Sequence, residues 1–397
     1  MSYSSSRPAK YANITLRRLD QEPYDTIQPL DDCAARKFLQ KHLVIPAQKQ
    51  KLKFACWECG ESLSEGQGIF RCESCPKRPR LHHADLAFTP LSGHVSAGWD
   101  PDYAMLLRSA YAIGCKLPLD SAVQMIRRKT DTVRYAEDMI GGFYKKIKVA
   151  LAYSEVKLSK QVVFTDDVVE PDSGRFGKTT SKKKKYHQGR TLVLKGRFQK
   201  QWVVHALKPK AAKLGRGMGP EELDEVQSPM TKHLGTGTVA APDGGRAFLS
   251  AAKKAGKPVL KGVKHGQKLF TPVSKLLKSS LDKSTQKMLR THTKGKQPAV
   301  KETKTYFYLA AGDQCAESTI GHMKGVMKRL GIYGRLASKE PTIRNVDSLA
   351  SAALLREAGF ERVLRAMRDY REACSSGTIQ VAPRYAFDPT HAKWLYD

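Results

Sequence analysis

Four cysteines constrain this chain more than any other feature. Cys56 and Cys59 form one C-x2-C pair in "FACWECG", Cys72 and Cys75 a second in "FRCESCP", and twelve residues lie between the pairs. A C-x2-C turn brings two thiolates to one side of an ion, so two such turns close a tetrahedral site of the kind zinc takes. The reading is a zinc ribbon over 51–95, with "GIFR" as a short strand into the second knuckle. Four thiolates leave no open coordination position, so the one Zn²⁺ expected here is structural, and His82 and His83 are surface residues. Cys33, Cys115, Cys315 and Cys374 are expected as free thiols in a reducing compartment.

Charge is the next constraint. The 397 residues carry 69 Lys and Arg against 38 Asp and Glu, a net charge of +31. A surplus of that size, spread along most of the chain, points to a polyanion held through phosphates, with nucleic acid first among them. The 41% hydrophobic content is enough for ordinary cores in two or three domains. No run of eighteen apolar residues and no apolar signal core at the N-terminus occur, so the expected location is intracellular rather than membrane or secreted.

Periodicity divides the chain further. Within an N-terminal extension over 1–50, "LDDCAARKFLQKHLV" (30–44) predicts a helix with Ala34, Phe38, Leu39 and Leu43 on one side. Three helices are predicted in a domain over 96–158, the third with Val133, Ala136, Ile140, Phe143, Ile147 and Leu151 on its apolar face. The short "KTD" link, with Asp131 or Thr130 as N-cap, suits a helix-turn-helix whose third helix offers Thr132, Arg134 and Tyr135 to DNA, although a plain three-helix bundle gives the same pattern. From 159 to 340 strand-like runs alternate with loops and helical runs, as in a mixed α/β domain, and 208–236 reads as a loop. Residues 251–304 hold fifteen Lys and Arg against Asp282 and Glu302, which predicts a basic insertion, mainly 270–304, lying along phosphates. A C-terminal helix and an irregular tail complete the chain over 341–397.

Three acidic positions stand out by context. Asp172 lies in "VVEPDSGRFGK", Asp243 in "VAAPDGGRAF" and Glu317 in "QCAESTIGHMK". The first two follow short apolar runs and the third sits in a helical run, an arrangement by which distant carboxylates converge at one edge of a sheet. Three carboxylates can hold two divalent cations roughly 3.5–4 Å apart for in-line phosphoryl displacement. Magnesium suits them because it accepts a few carboxylates with water and phosphate oxygens. Singly, an Asp before Gly is an ordinary turn residue and a helical Glu an ordinary solvated one.

The order of cysteine site, helices and acidic domain resembles the Merlin superfamily of DDE transposases and their bacterial insertion-sequence relatives. "VEPDSGRFGK" at 169–178 and "YHQGR" at 186–190 are similar to that family's first-strand motif, "DGGRAF" from Asp243 to its second, "VKHGQKLF" to a following V-x-H segment, and "ESTIGHMK" to its third. The match spans roughly 54–335. It implies a multidomain α+β chain with a ribonuclease-H-like catalytic domain. Asp172, Asp243 and Glu317 would hold two Mg²⁺ or Mn²⁺ ions for strand cleavage and strand transfer, and a dimer or larger assembly would synapse the inverted-repeat ends. Lys182, Lys183, Lys184, Lys185, Arg190, His265 and Lys324 would contact DNA, and a eukaryotic host would place the protein in the nucleus. Ser173 stands where the family often has a second acid, Gly312 where it has a histidine and Gln314 where it has an asparagine. Asp167 or Asp166 is the alternative first acid if Pro171 ends the strand. A domesticated DNA-binding descendant without catalysis is the second reading, and a zinc-ribbon RNA factor a third.

Overall fold

The structure is a computed structural model that describes residues 21–45, 56–82 apart from 57–58, 63, 67–68 and 77–79, 102–176, 189–261 apart from 209 and 211–219, 272–333 apart from 295–297, 341–379 apart from 377, and 392–396. Among these residues it is a mixed α+β structure with eleven α-helices and three small sheets. No helix among them is long and apolar enough to cross a membrane.

The N-terminal helices α1 (Gln21–Ile27) and α2 (Asp32–Lys41) pack on α3 (Tyr103–Gly114). Asp31 caps α2, and Asp32 accepts the Ala104 N–H at the start of α3. Ala35 and Leu39 are the fully buried residues of α2. Leu43, expected on the apolar side, is exposed, because the helix stops at Lys41 and Leu43 takes a positive φ. Residues 64–82 form an antiparallel three-stranded sheet, β1 (Ser64–Gly66), β2 (Ile69–Arg71) and β3 (Arg80–His82), beside the cysteines.

Three helices then follow as expected: α3, α4 (Leu119–Ile126) and α5 (Val133–Gln161). The cap of α5 is Thr132, which accepts the Tyr135 N–H at 3.2 Å, rather than Asp131 or Thr130; Asp131 instead binds the Arg128 guanidinium. Ala136, Ile140, Phe143, Ile147 and Leu151 are buried as the period requires, whereas Val133, in the first turn beyond the reach of α4, is 49% exposed. Helix α5 runs 29 residues and its later turns join a core shared with the sheet described next and with two C-terminal helices. Those helices, α10 (Pro341–Arg356) and α11 (Phe360–Ser375), replace the single C-terminal helix expected, since Gly359 at φ +114 breaks the run. Ion pairs from Lys148 to Asp347 and from Glu155 to Arg356 fasten α5 to α10.

The central sheet is built from β4 (Val168–Phe176), β5 (Gly189–Gly196), β6 (Trp202–Leu207) and β7 (Val239–Ala240), in the order β6-β5-β4-β7. The first three strands are antiparallel neighbours; β7 lies parallel to β4, and a parallel bridge from Ala240 to Val259 extends the edge. Pro171 does not end β4. The Ala241 N–H donates to Val169 O, so alternation points the Pro171 nitrogen toward the same edge, beyond the last residue of β7, where no ladder bond is lost. Between β6 and β7 the expected loop contains a helix, α6 (Leu223–His233), started by a capping box from Glu222 and Glu225. Helices α6 and α7 (Arg246–Lys254) cover one face of the sheet through Val226, Met230, Phe248 and Ala251 against Val169, Leu192 and Leu194. Helix α9 (Gln314–Arg329) covers the other with Ile320 and Met323.

The basic stretch after residue 270 is folded. Strands β8 (Val273–Leu277), β9 (Val300–Glu302) and β10 (Tyr306–Ala310) form an antiparallel sheet in the order β8-β10-β9, and α8 (Lys283–Thr291) packs behind it. Leu276, Met288, Leu289, Val300, Phe307 and Leu309 meet Val168, Val239 and Leu260 of the central sheet in a third core. The segment closes on itself: the Ala311 N–H donates to Pro272 O at 2.9 Å.

Candidate metal centres

Two groups of side chains among the described residues have the geometry of a metal site. In the first, the sulfurs of Cys56, Cys59, Cys72 and Cys75 all lie within 4.8 Å of one another, with Cys56 and Cys75 at 3.7 Å and Cys59 and Cys72 at 3.6 Å. The first knuckle is turned by Gly60 at φ +80, whose N–H donates to Cys56 O. Strand β2 carries the chain to the second knuckle. Four sulfurs at these separations fit a tetrahedral thiolate site, the chemistry of structural zinc.

In the second group, carboxylate oxygens of Asp172, Asp243 and Asp313 lie within 4.8 Å of one another. The topology explains the first two. Strands β4 and β7 are parallel and their last pair is Val169 with Ala240, so Asp172, midway along β4, and Asp243, just past the end of β7, each lie three residues past the same rung. Asp243 then turns the chain into α7: its Oδ1 accepts the Gly245 N–H at 2.8 Å, and Gly244 takes φ +95. Asp313 arrives from β10 as the cap residue of α9, after Gly312 at φ +112.

A second acid on β4 fixes that third arm. Glu170 is buried, accepts the Cys315 N–H at 2.6 Å and the Ala316 N–H at 3.3 Å, and so holds the amino end of α9 against the strand. Arg197 binds Glu170 at 2.7 Å while donating to Ala310 O at 2.7 Å and Gly312 O at 3.1 Å. Strand alternation places Glu170 and Asp172 on one face, the first sealed and paired, the second in the cluster. Burial, followed by the charges of Asp313, Asp243 and Glu317, pushes the Asp172 carboxyl up to about 8. Burial and the charges of Asp243 and Glu317 push Asp313 up to about 7. A cation sharing the site would favour their ionised forms.

The sequence-derived residues fare unevenly. Asp172 and Asp243 meet. Glu317 is exposed on the first turn of α9 and outside the trio, close enough for its charge to act on Asp172 and Asp313. Asp313 carries no motif in the sequence, although it follows the apolar run "YFYLA" just as Asp172 and Asp243 follow theirs. Asp166 and Asp167 immediately precede β4. Asp167 is fully buried and accepts the Phe198 and Gln199 N–H groups of the β5–β6 turn, and Asp166 accepts the Ser284 hydroxyl.

Arg190, expected to contact DNA, lies in the interior. It is buried on the face opposite Asp172, paired with Glu225 at 2.7 Å and Glu221 at 3.4 Å, because its register with Arg175 sends it toward α6. The Thr132 hydroxyl is spent on capping α5, and Tyr135 is packed at the margin of the core; Arg134 is exposed. Lys324 lies with its ammonium 5.9 Å from the Phe176 ring centroid, at the far end of β4. Lys182, Lys183, Lys184, Lys185 and His265 lie outside the described residues. Comparison of the chain with protein-family models, with curated proteins and with solved structures gives no match.

Proposed function

We propose that this chain is a DDE-type transposase, a DNA-binding enzyme that cleaves and joins DNA strands by metal-dependent phosphoryl transfer. The observation that carries the reading is the meeting of Asp172, Asp243 and Asp313 in a chain of net charge +31. Three carboxylates held within 4.8 Å repel one another once ionised, and cations between them would offset that repulsion. The sheet order, with one acid on β4, a second just past the parallel β7 and a third at the start of a helix, supports the ribonuclease-H-like expectation.

In this mechanism Asp172, Asp243 and Asp313 would hold two Mg²⁺ or Mn²⁺ ions, with Glu317 nearby on the first turn of α9. Bound there, such ions would supply Lewis acidity for phosphoryl transfer. Glu170 and Arg197 keep Asp313 in place. The cysteine group holds one structural Zn²⁺, and Arg134 with the exposed lysines contacts backbone phosphates of double-stranded DNA. Two ends must be brought together, so the working form is a dimer or a larger assembly.

The test is incubation with Mg²⁺ or Mn²⁺ and DNA carrying the ends of the encoding element. Wild type should nick and join strands, and Asp172→Asn and Asp243→Asn should bind the same DNA without cutting it. Unchanged binding with no cleavage by wild type would replace this reading with that of a domesticated DNA-binding protein.

A further inference from the structure

The sheet β8-β10-β9 has one face in a core and one in solvent, and the outer face has a composition the core does not require. Alternation sends Ser274, Leu276, Phe307, Leu309 and Val300 inward. Outward stand Val273 and Leu277, which are 72% and 40% exposed, with Lys275, Lys301, Tyr306 and Tyr308. Register sets them side by side: Tyr306 opposite Leu277, Tyr308 between Lys275 and Lys301. The two tyrosine rings are 6.2 Å apart, and the Lys275 ammonium lies 5.3 Å from the Tyr306 centroid.

The charge of this face is positive in effect. Glu302 is held by Lys278 at 2.6 Å and Arg290 at 3.2 Å, and Asp282 is occupied as the cap of α8, accepting from Thr285. An apolar and aromatic surface ringed by lysines fits a polyanion that also presents flat apolar faces. Duplex DNA hides its base faces in the stack; an unpaired strand offers them. Position agrees with this chemistry, since β10 ends at Ala310 and the chain reaches Asp313 three residues later.

We propose that the outer face of this sheet is a stacking platform for an unpaired DNA strand, with Tyr306 and Tyr308 under the bases and Lys275 and Lys301 on the phosphates. The platform rests on the reading of DNA as substrate and specifies the form in which a strand reaches the carboxylates. Tyr306 and Tyr308 then select an unpaired strand over a duplex.

The test is binding in EDTA, where no cleavage occurs, of a fluorescent oligothymidylate and of a duplex of equal length, by anisotropy. Tyr306→Leu/Tyr308→Leu, which keeps apolar β-forming side chains, should weaken single-strand binding by about tenfold or more and leave duplex binding unchanged. Tyr306→Phe/Tyr308→Phe should bind as wild type does, because stacking needs the ring and not the hydroxyl. Circular dichroism melts confirm that both variants are folded. Equal single-strand affinity in wild type and the leucine variant overturns the platform, as does a loss that is the same for duplex. Neither of those results touches metal-dependent cleavage, which the aspartate variants test separately.

Discussion

The cysteine group and the carboxylate group are both candidate metal centres, yet they are assembled in opposite ways. The four sulfurs come from twenty consecutive residues, and two tight turns place them. The three carboxylates come from residues 172, 243 and 313, and nothing local brings them together: a parallel strand pair aligns two, and the Glu170–Arg197 clamp delivers the third. A site made by turns survives as long as its segment does. A site made by topology depends on every element between its parts.

That contrast can be broken most severely at the cysteines. Cys72→Ser should release the metal and unfold the 56–82 segment, with one zinc per chain falling to none by a chelating dye, since structural zinc contributes on the order of 10 kcal/mol to folding such sites. The carboxylate centre should keep its metal-dependent nicking, measured on DNA that the helical region can still bind. In the carboxylate centre itself, Asp313→Asn should lower nicking by about a hundredfold or more, as Asp172→Asn does, whereas Glu317→Gln should cost less. A larger loss at Glu317 than at Asp313 would return the third position to the glutamate of the family motif.

A smaller effect is expected at the clamp. Arg197→Met leaves Glu170 buried beside the end of α9 without its partner, and urea unfolding should show a loss of about 3 kcal/mol. Metal affinity should fall with it, while the zinc content stays at one per chain. The mildest change is in pH. Asp172 and Asp313 are pushed up to about 8 and about 7, above ordinary carboxyls, so the metal-free fold is favoured while they are protonated. That contribution is full at pH below about 4 and is lost as pH rises through 7 to 8. The melting temperature without metal should therefore fall over that interval, and saturating Mn²⁺ or Asp172→Asn should flatten the fall.

Legibility in the sequence follows the same division. Cysteine spacing is a local geometric statement, and the sulfurs meet where it puts them. Asp172 and Asp243 were readable because each ends an apolar run and each has a motif around it. Asp313 has the run but no motif, whereas Glu317, four residues on, has the motif. Arg190 shows the opposite failure. Its neighbours in sequence are basic, and only the register of β5 against β4 reveals that it faces two glutamates under α6. The stretch after 270 misled by composition, because its lysines lie on the outside of strands whose inner residues are Leu276, Phe307 and Leu309. Helix α6 is hidden by the Gly- and Pro-rich residues before it and by a cap, Glu222, that is not one of the residue types marking a helix start.

The hydrogen bond from Ala311 to Pro272 ties together the two ends of everything between them. Loops within a segment stapled at its base can change length without moving its two ends, since each doubling of a flexible loop costs only about 0.6 kcal/mol. The number of residues separating the second and third acids can thus differ without displacing the acids. A motif defined by the interval between its acids will pass over such a protein, and one defined by what precedes each acid will not.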